Sequence, residues 1–234
     1  MMTFGSVYSG VGGADLGFER AGWTVAWQVE TDLFRRAVLS QHWPEIPRPR
    51  DVREAIVPAP ALVYAELPTA ERFWLDWLLT FLVRNACPMA IVEMSPALWA
   101  EQLGESLGPY RIWPGAVRYE VSVGFFSSQR TRIFLLLAHA LIAVHETIFD
   151  LPPTERGDLI EPPTRRPQER LLSVLVRGFE AALCFPQDWT CICGQVLCRC
   201  GADPRMNALE EATPPFVAEP MGRLLFEIVQ GVSL

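Results

Sequence analysis

Residues 9–13 read Ser9-Gly10-Val11-Gly12-Gly13, and an acid, Glu30, follows twenty positions after Gly10. Glycines so close together leave backbone N–H groups uncovered, so a ligand can approach them more nearly than a side chain would permit. In an open α/β sheet such a turn seats a nucleoside-type cofactor, and an acid ending the next strand accepts the ribose hydroxyls. A nicotinamide fingerprint would need a third glycine at position 15, where this chain has Asp15, so the spacing points to a different nucleoside. Far along the chain, Cys191, Cys193, Cys198 and Cys200 place four sulfurs within ten residues as two C-x-C-G repeats. One reading is a single tetrahedral zinc in a closed structural site; the other is free thiols, disulfides being disfavoured in a reducing cytosol.

These groups need a scaffold, and the hydrophobic pattern supplies one. A strand over 4–8 runs into the glycine cluster, a helix over 14–22 closes on Gly22, and a strand over 24–29 delivers Glu30 at its carboxyl end. A helix over 33–41 follows and is broken by Pro44, Pro47 and Pro49, which lead to Asp51. A strand over 61–65 is followed by a helix over 73–83, whose stripe of Phe73, Trp74, Trp77, Leu78, Phe81 and Leu82 is core-forming. A strand over 89–92 ends in Glu93, where a crevice residue belongs. Beyond it the pattern predicts a helix around 97–107, a strand near 117–123, a strand through Arg130 to Phe134, and a last helix over 217–229. Strand and helix alternate, which predicts an α/β protein with a doubly wound, mostly parallel sheet.

Bulk properties bound the possibilities. With 234 residues, half of them hydrophobic, the chain can bury one good core with a small appendage. Its longest apolar run, 133–144, contains His139 and is too short to span a bilayer, so no membrane partner is expected and the default location is cytoplasmic. A net charge of −7 argues against coating nucleic acid by phosphate attraction alone. Every basic residue is Arg, which suits phosphate or base-edge contacts, though genome composition explains the absence of Lys equally well.

Taken together, Tyr8-Ser9-Gly10-Val11-Gly12-Gly13, then Leu16-Gly17-Phe18-Glu19 with Ala21-Gly22, then Glu30-Thr31-Asp32, resemble the opening of the DNA cytosine-5 methyltransferases. The resemblance implies the Rossmann-like fold of S-adenosylmethionine-dependent methyltransferases. It implies that Tyr8, Ser9, Gly10, Gly12, Gly13 and Glu30 hold S-adenosylmethionine, and that Asp51 bonds the adenine amine. It covers nearly the whole chain, to about Gln230. Glu93-Met94-Ser95 stands where the family has Glu-Asn-Val, so Glu93 would contact a cytosine flipped out of DNA. Ser127 to Phe134 is similar to the family's Gln-x-Arg-x-Arg segment, which assigns to Arg130 the reach toward the base.

Three departures accompany it. The family adds a cysteine thiolate to cytosine carbon 6 to activate carbon 5; here Pro68 is followed by Thr69, and a hydroxyl is a poor match to that step. The family's recognition domain is reduced to 139–169, rich in proline, and its closing Gly-Asn is replaced by Glu210-Glu211. The expected organisation is a cofactor-binding core over 1–138, a shortened recognition region or linker over 139–169, and a Pro/Cys-rich C-terminal segment over 170–234 whose last helix packs back on the core. The expected function is a cofactor-binding pseudoenzyme or subunit in DNA modification, with DNA or a nucleotide, and a second protein subunit, as partners. Two alternatives stand beside it: an active enzyme with altered chemistry on a cytosine base in DNA or a free nucleotide, and a non-catalytic interaction module.

Overall fold

The computed structural model describes residues 2–53, 55–67, 72–94, 106–123, 126–140, 142, 212–213 and 215–230. Seven strands form one sheet in the order β2-β1-β3-β4-β7-β6-β5. Four of them, β1 (Thr3–Val7), β2 (Thr24–Val29), β3 (Leu62–Glu66) and β4 (Met89–Met94), pair in parallel. The remaining three, β5 (Ser106–Leu107), β6 (Tyr110–Val123) and β7 (Phe126–His139), are antiparallel additions. The parallel half explains the apolar runs, because a strand covered on both faces has no solvent side on which to place polar residues. All six residues of β4 are buried.

Alternation along the strands sorts side chains into two cores. On one face Phe4, Tyr64, Ile91, Phe134 and Leu136 meet Phe18 of α1 (Gly13–Arg20), Phe34 and Val38 of α2 (Leu33–His42), and Val217, Met221 and Leu225 of α4 (Pro215–Val229). On the other face Val63, Ala65, Val92, Leu135 and Leu137 meet Leu75, Leu78, Phe81 and Leu82 of α3 (Arg72–Arg84). Helices on both faces make the sheet doubly wound.

Local chemistry sets the boundaries. The α1 helix ends in a double closure, with Gly22 N–H donating to Glu19 O at 2.9 Å and Trp23 N–H to Phe18 O at 3.1 Å. Asp32 caps α2 by accepting from Arg35 N–H at 2.8 Å. Helices α1 and α4 approach closely because Gly17 has no side chain: a Cβ there would lie 2.6 Å from Pro215 O and 2.8 Å from the Ala218 Cβ. Trp23 Nε1 fastens the pair by donating to Gly222 O at 2.7 Å.

One expectation is corrected. The helix predicted around 97–107 does not reach its expected end, because Ser106 and Leu107 pair with Arg111 and Tyr110. Gly108, at φ +58°, and Pro109 form the two-residue connection of that hairpin, and neither residue supports a continuing helix. The proline segment that leads to Asp51 is not a strand, as its prolines imply, but it runs along the edge of β2. Its Pro47 and Pro49 carbonyls accept from Gln28 and Glu30 N–H at 3.0 and 3.4 Å, but prolines return no donor, so the ladder stops at β2. Of the C-terminal segment, 170–211, which holds the cysteine cluster, Glu210 and Glu211, lies outside the described residues, as does 143–169 of the shortened recognition region.

Candidate functional site

The first strand ends against β2, and the turn beyond it is gripped by consecutive β2-side groups. Ser9 N–H donates to Val29 O at 3.1 Å, and Gly10 N–H donates to the Glu30 carboxylate at 2.8 Å. Gly12 N–H closes the turn on Ser9 O at 3.0 Å, and α1 starts at Gly13. The turn demands glycine at two points. Gly10 has φ +59°, and a Cβ there would meet nothing within 4 Å, so that side of the turn is open. Gly12 has φ +86°, and a Cβ there would lie 2.4 Å from the Trp43 ring. Tyr8, just ahead, holds φ +57° without being glycine, a strained conformation of the kind that gathers at binding sites.

Glu30 is 4% exposed. Its second oxygen accepts from Asp32 N–H at 2.9 Å, and its own carbonyl accepts from Arg36 at 2.9 Å, so its position is fixed from both ends. Burial pushes its carboxyl pKa up, against the pull of these donors. The N–H groups of Gly10, Asp32 and Thr31 all favour its ionised form, and a carboxylate with acceptor capacity left over fits a ribose hydroxyl. The glycine turn, its open face and Glu30 therefore fit the adenosine half of S-adenosylmethionine. Asp51 is held by Arg53, whose guanidinium and N–H lower its pKa. The Tyr8 ring stands edge-on to Trp74 with centroids 5.4 Å apart, and its buried hydroxyl has no hydrogen-bond partner among the described residues. Burial first, and then Asp51, push that phenol upward.

A second cluster lies at the carboxyl ends of β3 and β4. Glu93, 1% exposed, is the register partner of Glu66. One oxygen accepts from Tyr64 Oη at 2.5 Å and from the Thr213 hydroxyl, while the other pairs with Arg132 Nε at 3.2 Å. Burial, then the Glu93 and Glu66 charges, drive the Tyr64 phenol well above its ordinary pKa, so it remains a proton donor. Glu93 thus joins β3, β4, β7 and the approach to α4.

The resemblance assigns to Arg130 a reach toward the base; the arginine paired with Glu93 is a different one, Arg132. Arg130 lies on β7 opposite Tyr119, beyond the last β4–β7 pair, Met94 with Ile133. The β4–β7 pairing explains the Arg132 contact, because Glu93 lies opposite Phe134 and Arg132 is two residues from it on the same face. Tyr64 and Thr213 were missed altogether. A tyrosine inside the apolar run Leu62 to Ala65 was the available signal, since a buried phenol seeks a partner. Thr69 and Cys191, Cys193, Cys198 and Cys200 lie outside the described residues; among the described ones no cluster of His, Cys, Asp and Glu could hold a metal ion. Cys87 is free and buried, and burial raises its thiol to about 12, which leaves it inert as a nucleophile. Among the described residues no helix is long and apolar enough to cross a membrane.

No family model matches the chain, and no curated protein matches it in sequence. Solved structures do share its fold. A protein described as a DNA modification methyltransferase encoded within an E. coli prophage superposes with a TM-score of 0.50 at 17% identity, over 64% of this chain and 50% of its own. The S. pombe Dnmt2 methyltransferase superposes with a TM-score of 0.51 at 12% identity, over 77% of this chain and 66% of its own. The chain therefore spans between half and about two thirds of these proteins. At such identities the likeness establishes the fold: an α/β, Rossmann-like fold of the S-adenosylmethionine-dependent methyltransferase type.

Proposed function

We propose that this chain binds S-adenosylmethionine on its glycine turn and serves as a non-catalytic member of a DNA-modification system, without transferring methyl groups to cytosine. The observation that carries the binding half is the Gly10–Glu30 pair: a buried carboxylate fixed at 2.8 Å from the turn's own N–H, beside an open backbone face. Tyr8, Ser9, Gly12 and Gly13 complete the seat, and Asp51 offers an acceptor for an exocyclic amine. When bound, the cofactor supplies an electrophilic methyl group.

The non-catalytic half rests on chemistry. Cytosine methylation at carbon 5 needs a soft nucleophile, and Thr69 occupies that place in the sequence. Cys87 is buried with a raised pKa. Glu93 has both carboxylate oxygens engaged by Tyr64, Thr213 and Arg132. A second reading, altered chemistry on a base in DNA or on a free nucleotide, draws support from the retained Glu93–Arg132 pair at the crevice end of the sheet, with Arg130 close by in sequence.

Calorimetry separates these readings. S-adenosylmethionine and its demethylated product should bind the wild-type chain, and Glu30→Ala should lose at least about tenfold in affinity, the scale of one charge-assisted contact pair. No binding by the wild type would remove the cofactor reading. Transfer of label from methyl-labelled cofactor to DNA or a nucleotide by the wild type would replace the non-catalytic reading with the second.

A further inference from the structure

Behind the glycine turn lies a polar chain that the proposed function does not use. Asp15, in the first turn of α1, is 0% exposed, as are Ser6 of β1 and Gln28 of β2. Gln28 Nε2 donates to Asp15 Oδ2 at 2.7 Å. The other end of that amide accepts twice from Arg48, at 3.0 and 2.8 Å, which fixes its orientation. Arg48 in turn donates to Leu39 O, Trp43 O and the Ser40 hydroxyl, at 3.1, 2.9 and 2.7 Å. Among the described residues no hydrogen bond of good geometry is formed by Asp15 Oδ1 or the Ser6 hydroxyl, yet Ser6 stands close enough to favour the ionised carboxylate.

The placement has a mechanical consequence. Three consecutive residues hold the turn and the helix it opens: Gln28 holds Asp15, the Val29 carbonyl holds Ser9, and Glu30 holds Gly10. A hydrogen bond to an ionised carboxylate is stronger than one to the neutral acid, so the first of these grips changes with the charge on Asp15. The Ser6 hydroxyl, as a donor beside the carboxylate, favours the ionised form as well, so protonation weakens its hold together with that of Gln28.

We infer that Asp15 is a proton-controlled positioning residue of the glycine turn: its ionised form tightens the α1–β2 grip and favours a cationic adenosyl ligand, and its neutral form relaxes both. The inference rests on the reading that an adenosyl ligand sits on this turn. The setting allows titration near neutrality, since burial raises the carboxyl to about 7 against the opposing pull of Ser6, Gln28 and Arg48. The charged groups around Asp15 are Glu19 on α1, itself 3.9 Å from His42 of α2, and Arg48 on the proline segment; on α4, Glu219 is paired with Arg223. Glu30 has a raised pKa as well, so the test must separate the two.

Two measurements on the full chain do so. In the ligand-free protein, the NMR amide shifts of Gly10, Gly12 and Gly13 should titrate together with a midpoint near 7. Asp15→Asn should abolish that step, and Ser6→Ala, which removes a group that lowers the Asp15 pKa, should move its midpoint upward. In calorimetry from pH 6 to 8, wild-type affinity for S-adenosylmethionine should rise by about tenfold, an ordinary coupling between two sites, and Asp15→Asn should flatten the rise. The demethylated product, which lacks the sulfonium charge, should show a smaller change. Flat glycine amides, or an Asp15→Asn profile that follows the wild type, would overturn the inference. If the Asn variant does not fold, an unmoved midpoint in Ser6→Ala overturns it alone. If the wild type binds no cofactor at any pH, the functional reading falls and the ligand-free titration still decides whether Asp15 controls the turn.

Discussion

At the scale of single residues the decisive group is Glu93. A carboxylate that is 1% exposed persists only if its charge is met, and the two hydroxyls and the guanidinium meet it. Its partners lie 29 and 120 positions away in the chain, so it joins parts of the chain that have no local reason to meet. Tyr64→Phe removes one hydroxyl donor and should cost about 1 kcal/mol, whereas Glu93→Ala removes the partner of Arg132 and both hydroxyls at once and should cost about 3 kcal/mol or more. Urea unfolding reads both. If Glu93→Ala unfolds at the wild-type midpoint, the junction contributes nothing and Glu93 is free for another role.

At the scale of elements, the close approach of α1 and α4 depends on an absence, the side chain of Gly17. A methyl group there meets a backbone carbonyl and a Cβ, neither of which can swing away. Gly17→Ala should therefore cost about 1–3 kcal/mol through overpacking, and hydrogen exchange should show α4 losing protection ahead of the sheet. Unchanged protection of α4 would mean that the two helices are held from elsewhere.

The elements themselves were largely legible. Periodicity marked the strands over 24–29, 61–65 and 89–92 and the helices over 33–41 and 73–83 to within a residue or two of their observed bounds. The glycine turn and Glu30 were legible because their grammar is local. What failed was pairing. Pro47 and Pro49 looked like loop, yet their carbonyls line the edge of β2, and Ser106–Leu107 turned out to be a strand because of the hairpin that Gly108 and Pro109 close. That Arg132 pairs with Glu93 was not legible either, since only the register of β7 against β4 says which arginine of the segment faces it. Asp15, Tyr64 and Thr213 read as unremarkable residues because a buried polar contact is defined by a partner at long sequence separation.

At the scale of the whole molecule, proton linkage collects these contacts into one measurable curve. Asp15 and Glu30 both have native pKa values raised by burial, so between the unfolded and folded values the native state binds more protons than the unfolded chain. For Asp15 that window runs from the ordinary aspartate value of 3.8 to about 7. The sign follows: stability carries no penalty below the window, falls as pH rises through it, and stays low above it. Asp51 acts oppositely, since Arg53 depresses its pKa, and its contribution is lost only as pH falls below the ordinary carboxylate range. The chain should therefore be more stable near pH 5 than at pH 8, despite a net charge of −7 at neutrality that would ordinarily leave it well solvated. The Asp15 share of the decline has an upper bound of about 4 kcal/mol, three units at 1.36 kcal/mol each. Asp15→Asn should remove that share, leaving the variant more stable than the wild type at pH 8 and close to it at pH 4. Urea titrations at pH 4, 6 and 8 supply the comparison. If the two profiles run parallel, Asp15 carries the same charge folded and unfolded, and the buried chain from Arg48 to Ser6 does not sense pH.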